Sequence, residues 1–284
     1  MTLKIQADAF ARENAPAFLG KNIRKYKWSS FTGEVAHNSL GGVSFGADAQ
    51  GKVVEQKEGW TLVKLTASTF KVLRTELLSQ EVAIGDTIDM KFYKLRRFDG
   101  SPADGSDDPA VDGCRSFMLT GAKTKFPVAG EDRYLEHSFP RGSEFPVVSN
   151  PYLLDMLRQM EETAVNNGMR RTVNVLVDAG AKNLAFIDPP EEDSCRVAPG
   201  ISMDISSTKF KGQLIVKYDR GADTYVVELT DYQFGETQTI TDVHFPELGP
   251  VLIDAIDDGR WLKPTITITK AAAKPKMAAS PALV

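Results

Sequence analysis

Apolar and polar positions alternate with a period of two along much of this chain. Residues 43–45 and 52–56 read as strands flanking GADAQG, which reads as a hairpin loop. Residues 60–66 (WTLVKLT) read as a further strand. Phe70, Leu73 and Leu77 recur at helical spacing, so the pattern predicts a helix over 69–79 with Ser68 as its cap. Residues 87–98 return to strand character, and the residues up to about 27 read as irregular or weakly helical.

The strongest helical signal follows residue 150. Asn150 suits the cap, Pro151 the first turn and Gly168 the stop. Leu153, Met156, Leu157, Met160 and Ala164 form one apolar stripe, and Arg158, Gln159, Glu161 and Glu162 are expected to face away. Strands are predicted at 172–177 and 183–187, around a turn at 179–182, and again at 201–205. Residues 213–218 and 225–230 make a hairpin pattern around 219–224. A short helix is expected at 248–256 and a final strand at 265–269. A short strand is expected at 117–119 and irregular connection over 126–148.

Helices and strands do not alternate regularly, which argues against a doubly wound parallel sheet. The expected class is α+β: mainly antiparallel sheet with about three helices, one of them long and amphipathic (about 151–167) and packed on a sheet. The polar run DPPEED at 188–193 marks the expected division, with an α+β region at 1–190 and a β-rich region at 191–270. Whether the second region is separate or continues the first is open in the pattern. The small-residue tail 271–284 is expected to be disordered.

A length of 284 residues with 42% hydrophobic and 25% charged positions supports a substantial core without staples. The two cysteines, Cys114 and Cys195, suggest neither a disulfide framework nor a zinc knuckle; both are expected to be buried small hydrophobes. With no leader pattern and no long apolar run, the expectation is a cytoplasmic protein without a membrane partner.

Candidate chemistry is sparse. GADAQGK at 46–52 fits the first positions of a phosphate-binding loop, but Val53 stands where the motif needs Ser or Thr, so a turn is expected. GVSFG at 42–46 matches a nucleophile-elbow pattern without the strand and helix that pattern needs. The five aspartates of loop 99–113 lack calcium-loop spacing. His37, His137 and His244 share no ligand spacing. No metal, cofactor or catalytic residue is therefore expected. KYDRG at 217–221 resembles the lysine-centred K-x-D-G motif of nucleic-acid ligases and nucleotidyltransferases, with Arg220 interposed; the resemblance implies catalysis at Lys217.

Two segments stand apart in a chain whose net charge is −4. Residues 21–28 read KNIRKYKW, and residues 91–98 read KFYKLRRF. Cations that follow a phosphate backbone, beside rings that stack on bases, are the ingredients of single-strand binding. The candidate contacts are Lys21, Arg24, Lys25, Tyr26, Lys27 and Trp28 in the first segment, and Lys91, Tyr93, Lys94, Arg96, Arg97 and Phe98 in the second. The acidic loop after the second segment is a candidate screen for it. The leading expectation is a non-enzymatic nucleic-acid-binding accessory protein for single-stranded DNA, of the kind carried by phages and mobile elements. The alternatives are a protein–protein module, with the C-terminal tail as a contact, and an enzyme with a dispersed site. The tail carries Lys270, Lys274 and Lys276 and no acid, unlike the acidic tails of bacterial single-strand binders.

Overall fold

The computed structural model describes residues 2–34, 46–110, 113–114, 122–129, 144–165, 168 and 170–272, and the backbone of 36–37 and 43–44. In chain order the elements begin with α1 (Leu3–Asn14), β1 (Lys27–Phe31), β2 (Ala36–His37), β3 (Val43–Ser44), β4 (Ala49–Lys57), β5 (Trp60–Lys64), β6 (Thr69–Arg74) and β7 (Thr87–Lys91). There follow α2 (Pro151–Glu162), β8 (Ala164–Val165), β9 (Arg170–Arg171), α3 (Thr172–Asp178) and β10 (Lys182–Ile187). The chain continues with β11 (Gly200–Ser206), β12 (Lys211–Asp219), β13 (Thr224–Asp231), β14 (Thr237–Val243), α4 (Phe245–Ile256) and β15 (Thr265–Lys270). The class is α+β with mainly antiparallel sheets.

Two compact units share the chain. The first comprises Met1–Asn38, Val43–Tyr93 and Trp261–Val284; the second comprises Ser39–Gly42 and Lys94–Arg260. The division therefore does not fall at 188–193. Strands β10 and β11, on either side of that run, pair antiparallel in one sheet. The Asp188 carboxylate also accepts from the backbone N–H groups of Ser149 (2.9 Å) and Asn150 (2.8 Å), so the run is tied to the start of α2.

The first unit is a six-stranded sheet in the order β1-β6-β5-β4-β7-β15, in which only β1 and β6 run parallel. Helix α1 buries Ala7, Phe10 and Ala11 against Trp60, Leu62, Phe70 and Val72 of β5 and β6. The i, i+3, i+4 spacing of those helical residues puts them on one face. Lys71 and Leu73 point to the opposite side of β6, and they are buried as well. A strand buried on both faces shows no clean alternation, which explains why Phe70, Leu73 and Leu77 suggested a helix. Lys57 pairs with Trp60 across Glu58 and Gly59, both at positive φ (54° and 80°), a two-residue turn matched to strand twist. GADAQG is not a hairpin loop: β3 pairs with β2, and β4 has already begun at Ala49.

The second unit is a five-stranded antiparallel sheet, β10-β11-β12-β13-β14, with α2 and α4 packed against it and against α3. Its core joins Leu153, Met156, Leu157 and Met160 of α2 to Met203, Leu214, Val216 and Val227 of the sheet. The Asn150 carboxamide oxygen accepts from the N–H groups of Tyr152 (3.0 Å) and Leu153 (3.2 Å), as a cap should. The expected strand 172–177 is instead helix α3. Its β-branched run TVNVLV is buried from Thr172 through Leu176, so packing overrides a weak propensity. Glu161 does not face solvent: at 2% exposure it pairs with Lys125 (3.2 Å) and accepts from the Phe126 N–H (2.8 Å). Cys114 and Cys195 are exposed rather than buried. The predicted strand at 117–119, His137 and the tail from 273 lie outside the described residues.

Candidate nucleic-acid interface

The first basic segment leads into the edge strand of the sheet. Lys21 sits in a turn, residues 23–26 belong to no helix or strand, and Lys27 opens β1, an edge strand that pairs with β6. Lys21, Arg24, Lys25 and Lys27 are all exposed, and none forms an ion pair among the described residues. Tyr26 and Trp28 are half-buried and pack against the α1 core. Alternation along β1 places Lys27 on the face opposite Trp28. The rings also have partners. The Tyr26 ring lies 5.6 Å from Trp28 and edge-on to Phe70 at 6.4 Å. The Trp28 indole N–H donates to Asp8 Oδ1 at 2.8 Å, and Arg12 lies 5.9 Å over the ring. Trp28 is thus a tie between β1 and α1, which corrects its reading as a free stacking platform.

The second segment is split between the units after Tyr93. Lys91 ends β7, exposed. Phe92 is buried (5%) against Phe31, with ring centroids 4.9 Å apart. That contact joins the end of β1 to the end of β7, four strands away in sheet order, so the sheet curls on itself. Tyr93 is half-buried, edge-on to Trp261 at 5.4 Å.

In the second unit, Lys94 and Arg96 are exposed. Arg97 is not: at 2% exposure it meets Asp108 through two contacts, Nη1 to Oδ1 at 2.5 Å and Nη2 to Oδ2 at 2.9 Å. Phe98 packs on the core beside Phe126, at 5.2 Å. Both are therefore removed from the candidate contacts. The reason is a fork-to-carboxylate pair for Arg97 and apolar burial for Phe98. The acidic loop does return to the basic segment, as the expected screen required, but through Asp108 on one buried arginine. Asp104 sits in the same loop. Burial works against its charge, while Ser106 hydrogen bonds, then Lys94 and Arg97, hold its carboxyl below the usual range.

The structure separates charge in a way the sequence total hides. The first unit carries 16 Lys and Arg against 10 Asp and Glu; the second carries 18 against 28. The signal was present in the sequence but needed the unit boundaries to be read. Lys217 bonds both Glu228 oxygens at 2.7 Å across neighbouring strands, as a cross-strand ion pair. Among the described residues, no cluster of three or more His, Cys, Asp or Glu could hold a metal. No described helix is long and apolar enough to cross a membrane.

No family model, no curated protein and no solved structure matches this chain.

Proposed function

We propose that this protein is a non-enzymatic nucleic-acid-binding protein whose first unit holds the phosphate backbone. The observation that carries the reading is the charge partition: a surplus of six cations in the first unit within a chain of net charge −4. Lys21, Arg24, Lys25 and Lys27 supply the contacts from an exposed edge strand and the loop before it, with Lys91 a further cation of the same unit. Stacking is the lesser term, because Trp28 is engaged with Asp8 and Arg12, and Tyr26 and Tyr93 are only half exposed. Those two tyrosines support a preference for single strands, whose bases are accessible to rings.

The test is fluorescence anisotropy with a labelled single-stranded oligonucleotide and its duplex, over a salt series. Reversal of Lys21, Arg24, Lys25 and Lys27 to Glu is expected to abolish low-salt binding. The neutral quadruple Gln variant is expected to lower the slope of log K against log salt by about 3, at about 0.7 per phosphate contact. Unchanged binding in both variants rejects the reading.

A second reading, a protein–protein module, is favoured by Tyr232 and Phe234, which are 61% and 69% exposed near the β13–β14 turn. Under that reading, Tyr232→Ser with Phe234→Ser removes a stoichiometric co-purifying protein and leaves oligonucleotide binding intact.

A further inference from the structure

The second unit holds a polar aromatic cavity that no basic segment touches. Its volume is about 350 Å³, and it is lined by Tyr152, Asp155 and Gln159 of α2, Tyr218, Asp223 and Tyr225 of the β12–β13 hairpin, and His244–Pro246 at the start of α4. Residues 152, 155 and 159 share one helical face at i, i+3 and i+7. That face turns to the end of the sheet while Leu153, Met156 and Leu157 enter the core.

The three tyrosines form one cluster. Tyr152 and Tyr218 stack at 5.8 Å with an interplanar angle of 22°, and Tyr225 lies 5.8 Å from Tyr218. Their hydrogen bonds run in a defined direction. The Tyr225 hydroxyl donates to the Gln159 side-chain oxygen, and the Gln159 Nε2 donates to Asp155 Oδ2 at 2.7 Å. The Tyr218 hydroxyl donates to Asp223 Oδ1 at 2.6 Å. Each of these two phenols has spent its single proton. The bond to Asp223, then burial, pushes Tyr218 up to about 12; burial, then Asp155, holds Tyr225 above its usual range. What these groups still offer is acceptor capacity: carboxylate and phenol lone pairs, with the negative faces of rings.

Such a lining selects positive charge with N–H donors. No lysine or arginine is among the lining residues. A cation already uses this aromatic surface from outside: the Arg220 guanidinium, on the β12–β13 turn, lies 4.8 Å over the Tyr152 ring. The acidic balance of the second unit adds to the attraction.

We infer that this tyrosine cavity is a binding site for an organic cation bearing N–H donors, a guanidinium or an ammonium. The head group lies against the Tyr152–Tyr218 surface, and Asp155 and Asp223 accept its hydrogen bonds. Two sources share that chemistry, the side chain of a basic peptide and a free polyamine. Asp223 has φ +54°, a conformation asparagine also tolerates, so Asp223→Asn removes charge with little backbone cost.

The test titrates the full chain, carrying isotope-labelled tyrosine, with N-acetyl-arginine amide, its neutral isostere N-acetyl-citrulline amide, and spermidine. The arginine amide or spermidine is expected to shift the Tyr152, Tyr218 and Tyr225 ring signals to saturation. The citrulline amide should bind about tenfold more weakly, the value of a desolvated cation–ring contact. Asp223→Asn and Tyr152→Leu are each expected to weaken binding about fivefold. Arg220→Ala should tighten it about twofold by clearing the ring, an effect that simple loss of structure would not give. Saturation by the arginine amide points to a peptide side chain, and saturation by spermidine to a free polyamine; either supports the site. A ring shift with the citrulline amide as strong as that with any cationic probe, or no ring shift with any probe, overturns it.

Discussion

In the first unit Lys71, 4% exposed, donates to the Ala47 carbonyl at 2.7 Å and lies 3.9 Å over the Phe92 ring. In the second, Arg97 and Arg170, 2% and 0% exposed, each meet carboxylates. Arg170 reaches Asp178 at 2.9 Å and Asp257 at 2.6 Å. The difference follows from the chemistry of the two side chains. Lysine can relinquish its proton, and burial, against the field of Asp48, lowers Lys71 to about 8. Arginine cannot, so it enters a core only with its counterions. The second unit spends Asp108, Asp178 and Asp257 in this way and still presents an acidic surplus. The first has no such surplus and holds its buried lysine by a carbonyl and a ring. One chain thus contains a basic and an acidic unit that manage buried cations by different means.

The largest effect is expected at Arg170. Replacing it with Ala strands Asp178 and Asp257 in the core and should cost about 3–5 kcal/mol, read by urea unfolding. A cost under about 1 kcal/mol would break the contrast, because the carboxylates would then not depend on their partner.

Lys71 should behave oppositely. Its depressed pKa means that the unfolded chain binds the proton more tightly than the folded one. The resulting penalty is complete below about pH 8 and fades as pH rises toward the unfolded value near 10.5. Lys71→Met is expected to gain up to roughly 3 kcal/mol at pH 7, with the advantage shrinking by pH 9.5. Unfolding curves at both pH values check this, and a difference independent of pH refutes it.

Smaller effects sharpen the comparison within each unit. Asn150→Ala removes the α2 cap, together with bonds to the Pro189 carbonyl and Ser194, and should cost about 1–2 kcal/mol. Trp28→Phe leaves a smaller aromatic ring in place and loses the indole N–H bond to Asp8, for about 1 kcal/mol. Thermal melts of the two variants test whether the local tie in the second unit is the stronger.

Elements whose burial is one-sided were legible. The Asn150–Pro151 helix start, the hairpin of β12 and β13, α4 and β15 all show their period or cap in sequence. Elements buried on every side were not. Strand β6 and helix α3 exchanged apparent types because uniform burial erases the period that separates them. The same limit applied to the candidate interface. Lys27 and Trp28 are adjacent in sequence, yet strand β1 places them on opposite faces.

The sequence by itself determined the α+β class, the capped helix and the concentration of cations in 21–28, because these depend on neighbours along the chain. Tertiary structure alone decided which of those groups remain available. It drew Arg97 onto Asp108 and Trp28 onto Asp8, and left Lys21, Arg24, Lys25 and Lys27 exposed. It also gathered Tyr152, Tyr218 and Tyr225 around one cavity. The physical reason is range: caps and periodicity act over a few residues, whereas ion pairs and ring contacts depend on distances in space that only folding sets.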